Sequence, residues 1–307
     1  MIFCELSKRA VVLAACLCLL ACNQDSADGS RAKSISEPGG KPQVLFAVSV
    51  KEYQGMVMRR LEPIVLIKEG KFTEPPQEEK EVLTFGETYL RPALSYHLLW
   101  GGKEIGMVKV KEWIKEGCSG LEDMAEVEIA ASLELTGKVG ALATNDASLA
   151  QGKLARRAPT ELEKTRALEV ARNIYLKNGI NDKLLQTIEF EAAAADLDSD
   201  QTAELIGSFR IEEHVADEYG LDIPSVYALF LLLKSGAKGL QPLVTQFHRG
   251  RGESYGEERF LDHLDLDKDG VSEIVTKVDV YEGWGYRIYK SQNNEWKEVY
   301  RGGGGGC

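Results

Sequence analysis

The stretch Asp265-Leu266-Asp267-Lys268-Asp269-Gly270-Val271-Ser272-Glu273, followed by Ile274-Val275-Thr276, decides how the C-terminal half of this chain is read. In extended chain alternate side chains face one way, so Asp265, Asp267 and Asp269 leave the backbone on a common side. Gly270 adopts a left-handed turn at little cost and curls them about a point. There the Val271 carbonyl and the Glu273 carboxylate close an oxygen shell suited to a hard cation such as calcium. Without a cation the four carboxylates repel one another. An EF-hand requires a bidentate Glu at the twelfth position, which here is Thr276, and Ile274, Thr276, Val278 and Val280 alternate as a strand does. The loop therefore joins strand to strand.

A worn copy begins 69 positions earlier, with Asp196, Asp198, Asp200 and Glu204, and with Gln201 where the turn glycine belongs. Each loop sits in a unit of several short strands. The first unit has a strand near 204–213 and a hairpin over 226–247 turning at Ser235 to Gly239. The second has strands at 259–264 and 273–281, a Gly283-Trp284-Gly285 turn, then 286–289 and 296–300. Units of this size suit a propeller blade or a small sheet. The pattern Asp-x-Asp-x-Asp-Gly-x-x-Glu-Ile-Val resembles the calcium loop of FG-GAP and VCBS repeats, found in integrin-type propellers and many bacterial exported proteins. The resemblance covers residues 196–301 at most, and only the second loop matches every position. It implies calcium held by the side chains of Asp265, Asp267, Asp269 and Glu273 and the backbone of Val271. In degenerate form it implies a site at Asp196, Asp198, Asp200 and Glu204. Two units cannot close a propeller, which typically needs at least four blades, so a small open β structure is expected.

Before these units, residues 42–150 read as a β-rich N-terminal domain. Val44 to Val50 is β-branched and aromatic, Pro63 to Ile67 enters a turn, Tyr96 to Val110 is a hairpin closed at Gly101-Gly102, and a further β segment spans 125–135, with a loop at 74–79. Residues 151–185 read as a helical connector. Thr160-Glu161-Leu162-Glu163 is a capping box, Leu162, Leu168, Ala171, Ile174 and Tyr175 share roughly one face, and Asn178-Gly179 stops the helix. The expected class is thus mainly β with one or more helices (α+β), a β-rich N-terminal domain followed by propeller-blade-like units over 186–301 and a Gly-rich tail, 302–307, ending in Cys307.

At the other end, Lys8-Arg9 precede an apolar run, Ala10 to Leu20, too short to span a bilayer, which is a signal-peptide pattern. Leu19-Leu20-Ala21-Cys22 resembles the bacterial lipobox. That implies cleavage after residue 21 and acylation of Cys22 by diacylglycerol and an N-acyl chain, more than one chain being what stable anchoring requires. Asn23 in place of the inner-membrane Asp implies outer-membrane sorting, with the body facing the periplasm or the outside. Residues 22–41, small and polar, read as a flexible tether. Loss of residues 1–21 takes Lys8, Arg9 and Glu5 with it, a net +1, so the remainder carries −12 against −11 for the whole chain. Phosphate backbones repel such a protein, which argues against nucleic acid as a partner. Of six cysteines, Cys118 and Cys307 would remain unlipidated, and an oxidising compartment permits a bridge between them.

No Gly-x-Ser-x-Gly elbow, phosphate loop or His-Glu-x-x-His is present. His97, His214, His248 and His263 lie in no zinc or triad spacing. The reading leans away from an enzyme. It points to a calcium-stabilised interaction or scaffold module of the cell envelope with a membrane anchor and a protein or glycan partner. The competing readings are an envelope-polymer hydrolase and a carbohydrate-binding module using Tyr281, Trp284, Tyr286, Tyr289 and Trp296.

Overall fold

A computed structural model describes residues 42–114, 124–132, 135, 140–150, 156–216, 222–237, 239–251 and 256–306. The signal peptide, Cys22 and tether, as well as Cys118 and Cys307 with their disulfide, lie outside the described residues. Among the described residues the class is mainly β with two α-helices.

Val44, Leu45, Phe46, Ala47 and Val48 are all buried, on both faces of one strand, and this determines what the N-terminal half builds. Seven strands, β1 (Gln43–Tyr53), β2 (Met56–Lys68), β3 (Lys71–Thr73), β4 (Ser95–Trp100), β5 (Lys103–Ile114), β6 (Met124–Ala131) and β7 (Ala141–Thr144), form one sheet in the order β1-β7-β4-β5-β6-β2-β3. An antiparallel β1–β2 pairing closes the first six into a barrel, which removes their free edges. Val44, Phe46, Val48, Leu98, Val108, Val110 and Val127 fill the interior, while Leu45, Ala47, Ile64, Val65, Leu99 and Leu142 belong to a second cluster on the outside. The β4–β5 hairpin turns at Gly101-Gly102, both at positive φ, as expected.

Helix α1 (Glu79–Tyr89) follows the Pro75-Pro76 loop and is not evident from the sequence, because Thr84, Gly86 and Thr88 dilute its pattern. Phe85 and Tyr89 enter the barrel core. Gly86 is required by packing: a Cβ there would lie 2.0 Å from the Trp113 ring.

Two four-stranded antiparallel meanders follow. The outer sheet comprises β8 (Glu189–Ala195), β9 (Glu204–Ala216), β10 (Asp222–Gly236) and β11 (Gly239–Arg251); the middle sheet comprises β12 (Gly256–Leu264), β13 (Glu273–Val280), β14 (Gly283–Gln292) and β15 (Glu295–Gly306). Leu264, Val275, Tyr286, Ile288 and Tyr300 of the middle sheet pack on the barrel exterior. Its other face, through Ile274 and Tyr289, meets Ile206, Phe230 and Leu232 of the outer sheet. Helix α2 (Glu161–Lys177) covers the far side of the outer sheet, where Phe209, Ile211, Tyr227, Leu229 and Leu231 face it. The unbroken apolar run Val226 to Leu233 is thereby explained, since both faces of β10 are buried. The Thr160/Glu163 capping box forms as the sequence predicts. Its buried face is Ala167, Ala171 and Tyr175, and Leu162, expected there, is 60% exposed.

Two further expectations need adjusting. The Gly283-Trp284-Gly285 segment is not a turn but the start of β14; the chain reverses before it, with Glu282 at φ 56°. Gly302 to Gly306 continue β15 rather than hanging as a tail. At Gly303 (φ 61°) a Cβ would lie 2.6 Å from the Ile64 carbonyl, so glycine is what permits β15 to approach β2.

Candidate metal centre

The two acidic loops occupy corresponding places, between the first and second strand of each meander. In the second loop the Asp265 carboxylate accepts the backbone N–H groups of Asp269 (3.1 Å) and Gly270 (3.0 Å), Asp269 accepts that of Val271 (2.9 Å), and Glu273 accepts that of Leu266 (2.7 Å). The first loop repeats every bond. Asp196 accepts from Asp200 (3.1 Å) and Gln201 (2.8 Å), Asp200 from Thr202 (2.7 Å), and Glu204 from Leu197 (3.0 Å). Gly270 sits at φ 91° and Gln201 at φ 70°; the residues two before them, Lys268 and Ser199, are also left-handed. Gln201 therefore accepts the strain that a glycine avoids, on the order of 1–2 kcal/mol, and the missing glycine does not alter the geometry. The loops also touch, Ser272 donating its backbone N–H to the Leu197 carbonyl at 2.8 Å.

Carboxylate oxygens of Asp265, Asp267 and Asp269 lie within 4.8 Å of one another, as do those of Asp196, Asp198 and Glu204. Glu204 and Glu273 are each 1% exposed, at the floor of their cages. Burial pushes the Glu273 carboxyl up to about 7 against the Leu266 N–H and the Lys290 ammonium, and Glu204 is shifted upward for the same reason. The donor set is all oxygen and largely anionic, which fits a hard cation.

Each cage also receives a lysine that the sequence reading did not single out. Lys290 on β14 donates to Asp267, to Asp269 at 2.8 Å and to Glu273 at 3.0 Å. Lys234 on β10 lies 2.6 Å from Asp198, 2.8 Å from Asp200 and 2.9 Å from Glu204. Although partial burial disfavours charge on both lysines, the surrounding carboxylates outweigh it and hold both more firmly protonated than usual. The register explains the match. Leu233 pairs with Leu205 and Tyr289 with Ile274, so each lysine is one step beyond a residue opposite the neighbour of its cage glutamate. Linear spacing hides this, since the lysines follow the first Asp of their loops by 38 and 25 residues.

Comparison with family models, curated proteins and solved structures finds no match to this chain.

The remaining candidates are divided between core and surface. Tyr286 and Tyr289 are each 1% exposed, inside the middle-sheet interfaces, so the five aromatics do not form one exposed face. His214 lies between Glu212 (3.1 Å) and Asp222 (3.0 Å) at the surface. His263 is buried beside the second loop, and burial, with Arg156 adding, lowers it to about 4. Glu258, within the middle sheet, accepts from Thr276 (2.7 Å), Arg287 (2.8 Å) and Tyr289 (2.8 Å), tying together the three strands that carry the second loop and its lysine. A cavity of about 250 Å³ between the barrel and the middle sheet is lined by Val48, Val50, Phe260 and Leu261, with Glu62 and Lys277 among its polar walls. Those two are paired at 2.8 Å, and Tyr286 also donates to Glu62.

Proposed function

We propose that this protein is a non-catalytic lipoprotein of the cell envelope, acylated at Cys22, in which calcium held by the two acidic loops stiffens blade-like β units that serve as an interaction or scaffold surface. The observation that carries the calcium reading is the repetition of one loop conformation in both units, despite Gln201, with carboxylates converging on a point in each. Selection for a shared cation would produce that convergence. The envelope address rests on the signal pattern and Leu19-Leu20-Ala21-Cys22. An exported body meets calcium at concentrations that fill even weak sites.

A hydrolase reading needs a carboxylate free to exchange a proton with substrate. At the centre of either cage the carboxylates engage an ammonium, which favours the structural role. Calorimetric titration with calcium chloride tests the metal: saturable heat and a raised melting temperature are expected, and neither appearing at millimolar calcium sinks it. Converting Asp267 and Asp269 to Asn should lower stability in a way that excess calcium partly restores. A folded variant that instead loses an enzymatic activity would favour the hydrolase. Metabolic labelling with palmitate tests the anchor, label being expected in the wild type and lost in Cys22→Ala.

A further inference from the structure

We propose that Lys234 and Lys290 are built-in occupants of the two cation cages, each ammonium standing where the divalent ion would bind, so that calcium enters only by displacing it. The inference rests on the calcium reading above and concerns how those sites are regulated.

A lone surface ion pair would carry no such weight, because most contribute little. The arrangement here is different. An ammonium has three N–H donors and no acceptor. In the second loop all three go to different carboxylates, Asp267, Asp269 and Glu273; in the first loop Lys234 donates to Asp198 at 2.6 Å, and its ammonium pairs by charge with Asp200 at 2.8 Å and Glu204 at 2.9 Å. Both lysines come from the third strand of their meander at the same register step relative to the cage glutamate. Two separate stretches of sequence thus deliver the same group to the same point, although the loop-to-lysine separations differ. Lys290 is also the more enclosed, its side chain 17% exposed against 27% for Lys234.

The consequence is a competition. A calcium ion needs the same oxygens that the ammonium engages. A ligand that binds only the open form has its apparent affinity reduced by the fraction of molecules that are open. If the ammonium leaves the cage in about one molecule in ten, calcium binds about tenfold more weakly than the oxygen set alone would allow. The same contact spares the metal-free protein the repulsion of clustered carboxylates. It therefore folds without calcium, and the cage takes up metal only when calcium is abundant.

The test compares wild type with Lys290→Met, which keeps the aliphatic stem and deletes the charge, and with Lys234→Met at the other loop. Each is titrated with calcium chloride by calorimetry and melted in chelator and in calcium. The expected result is that each Met variant binds calcium at its loop at least about tenfold more tightly than wild type. Each should also melt lower than wild type in chelator and regain the difference in calcium. Equal calcium affinity in wild type and variants overturns the lysine proposal and leaves the calcium reading standing. No binding by any of the three, at millimolar calcium, overturns both. Should Lys290→Met not fold in chelator, folding restored by calcium supports the proposal, and failure in both conditions leaves the decision to Lys234→Met, whose loop is built alike.

Discussion

Asp262 gives the sharpest quantitative expectation. It is fully buried; its carboxylate accepts the Gly101 backbone N–H at 2.7 Å, and among the described residues its other oxygen has no hydrogen-bond donor, the Arg156 guanidinium being 3.9 Å away. Arg156 is itself committed to the Leu261 carbonyl at 2.5 Å and lies over the Trp100 and Phe260 rings. Burial therefore raises the Asp262 carboxyl from 3.8 to about 7, against the pull of Arg156 and of the backbone N–H groups of Gly101 and His263. Between those values the folded state binds more protons than the unfolded one, so this group makes stability fall as pH rises, by about 1.4 kcal/mol per unit and about 4 kcal/mol in all. His263 runs the other way. Its folded value of about 4 lies below 6.5, the unfolded state binds more protons between them, and stability rises by about 3 kcal/mol. In wild type the two slopes nearly cancel from about pH 4 to 6.5. Asp262→Asn removes the falling slope. Urea unfolding followed by tryptophan fluorescence, at half-unit steps from pH 4 to 7, should show wild-type stability declining relative to the variant by about 3 kcal/mol. A constant difference over that range would refute the reasoning, because it would mean that Arg156 keeps Asp262 ionised in spite of burial.

Three further expectations follow from single contacts. Gln201→Gly relieves the left-handed strain of the first loop and should raise stability by about 0.5–1 kcal/mol after the extra flexibility of the unfolded glycine is counted, read as an upward shift of the melting temperature. Gly303→Ala drives a Cβ toward the Ile64 carbonyl at positive φ and should cost about 2–4 kcal/mol in urea unfolding, whereas a loose tail would tolerate it. Glu258→Gln leaves Arg287, 7% exposed, without its charge partner at 2.8 Å, and a loss of about 2–4 kcal/mol is expected by the same measurement; a change below 1 kcal/mol would show that Glu298, 3.5 Å away, suffices.

The local devices were legible in the sequence because their physics is local. The Thr160/Glu163 box, the Gly101-Gly102 hairpin and the strand-loop-strand character of Asp265 to Glu273 each depend on residues within a few positions, and each appears in the fold. Alternation after Gly270 was enough to exclude a helix there. The same reasoning failed where a neighbour far along the chain decides the outcome. Helix α1 carries Gly86 because the Trp113 ring requires the space, and Gly302 to Gly306 are a strand because β14 pairs with them and β2 lies against Gly303. The continuous burial of Val44 to Val48 marks a strand enclosed on both faces, but barrel closure depends on the β1–β2 and β2–β6 pairings. At the acidic loops the sequence by itself determined the carboxylates, their alternation and the duplication. Only the tertiary structure decided that Gln201 adopts the glycine conformation and that Lys234 and Lys290 meet the cages, because strand register brings those residues together across separations that carry no common spacing.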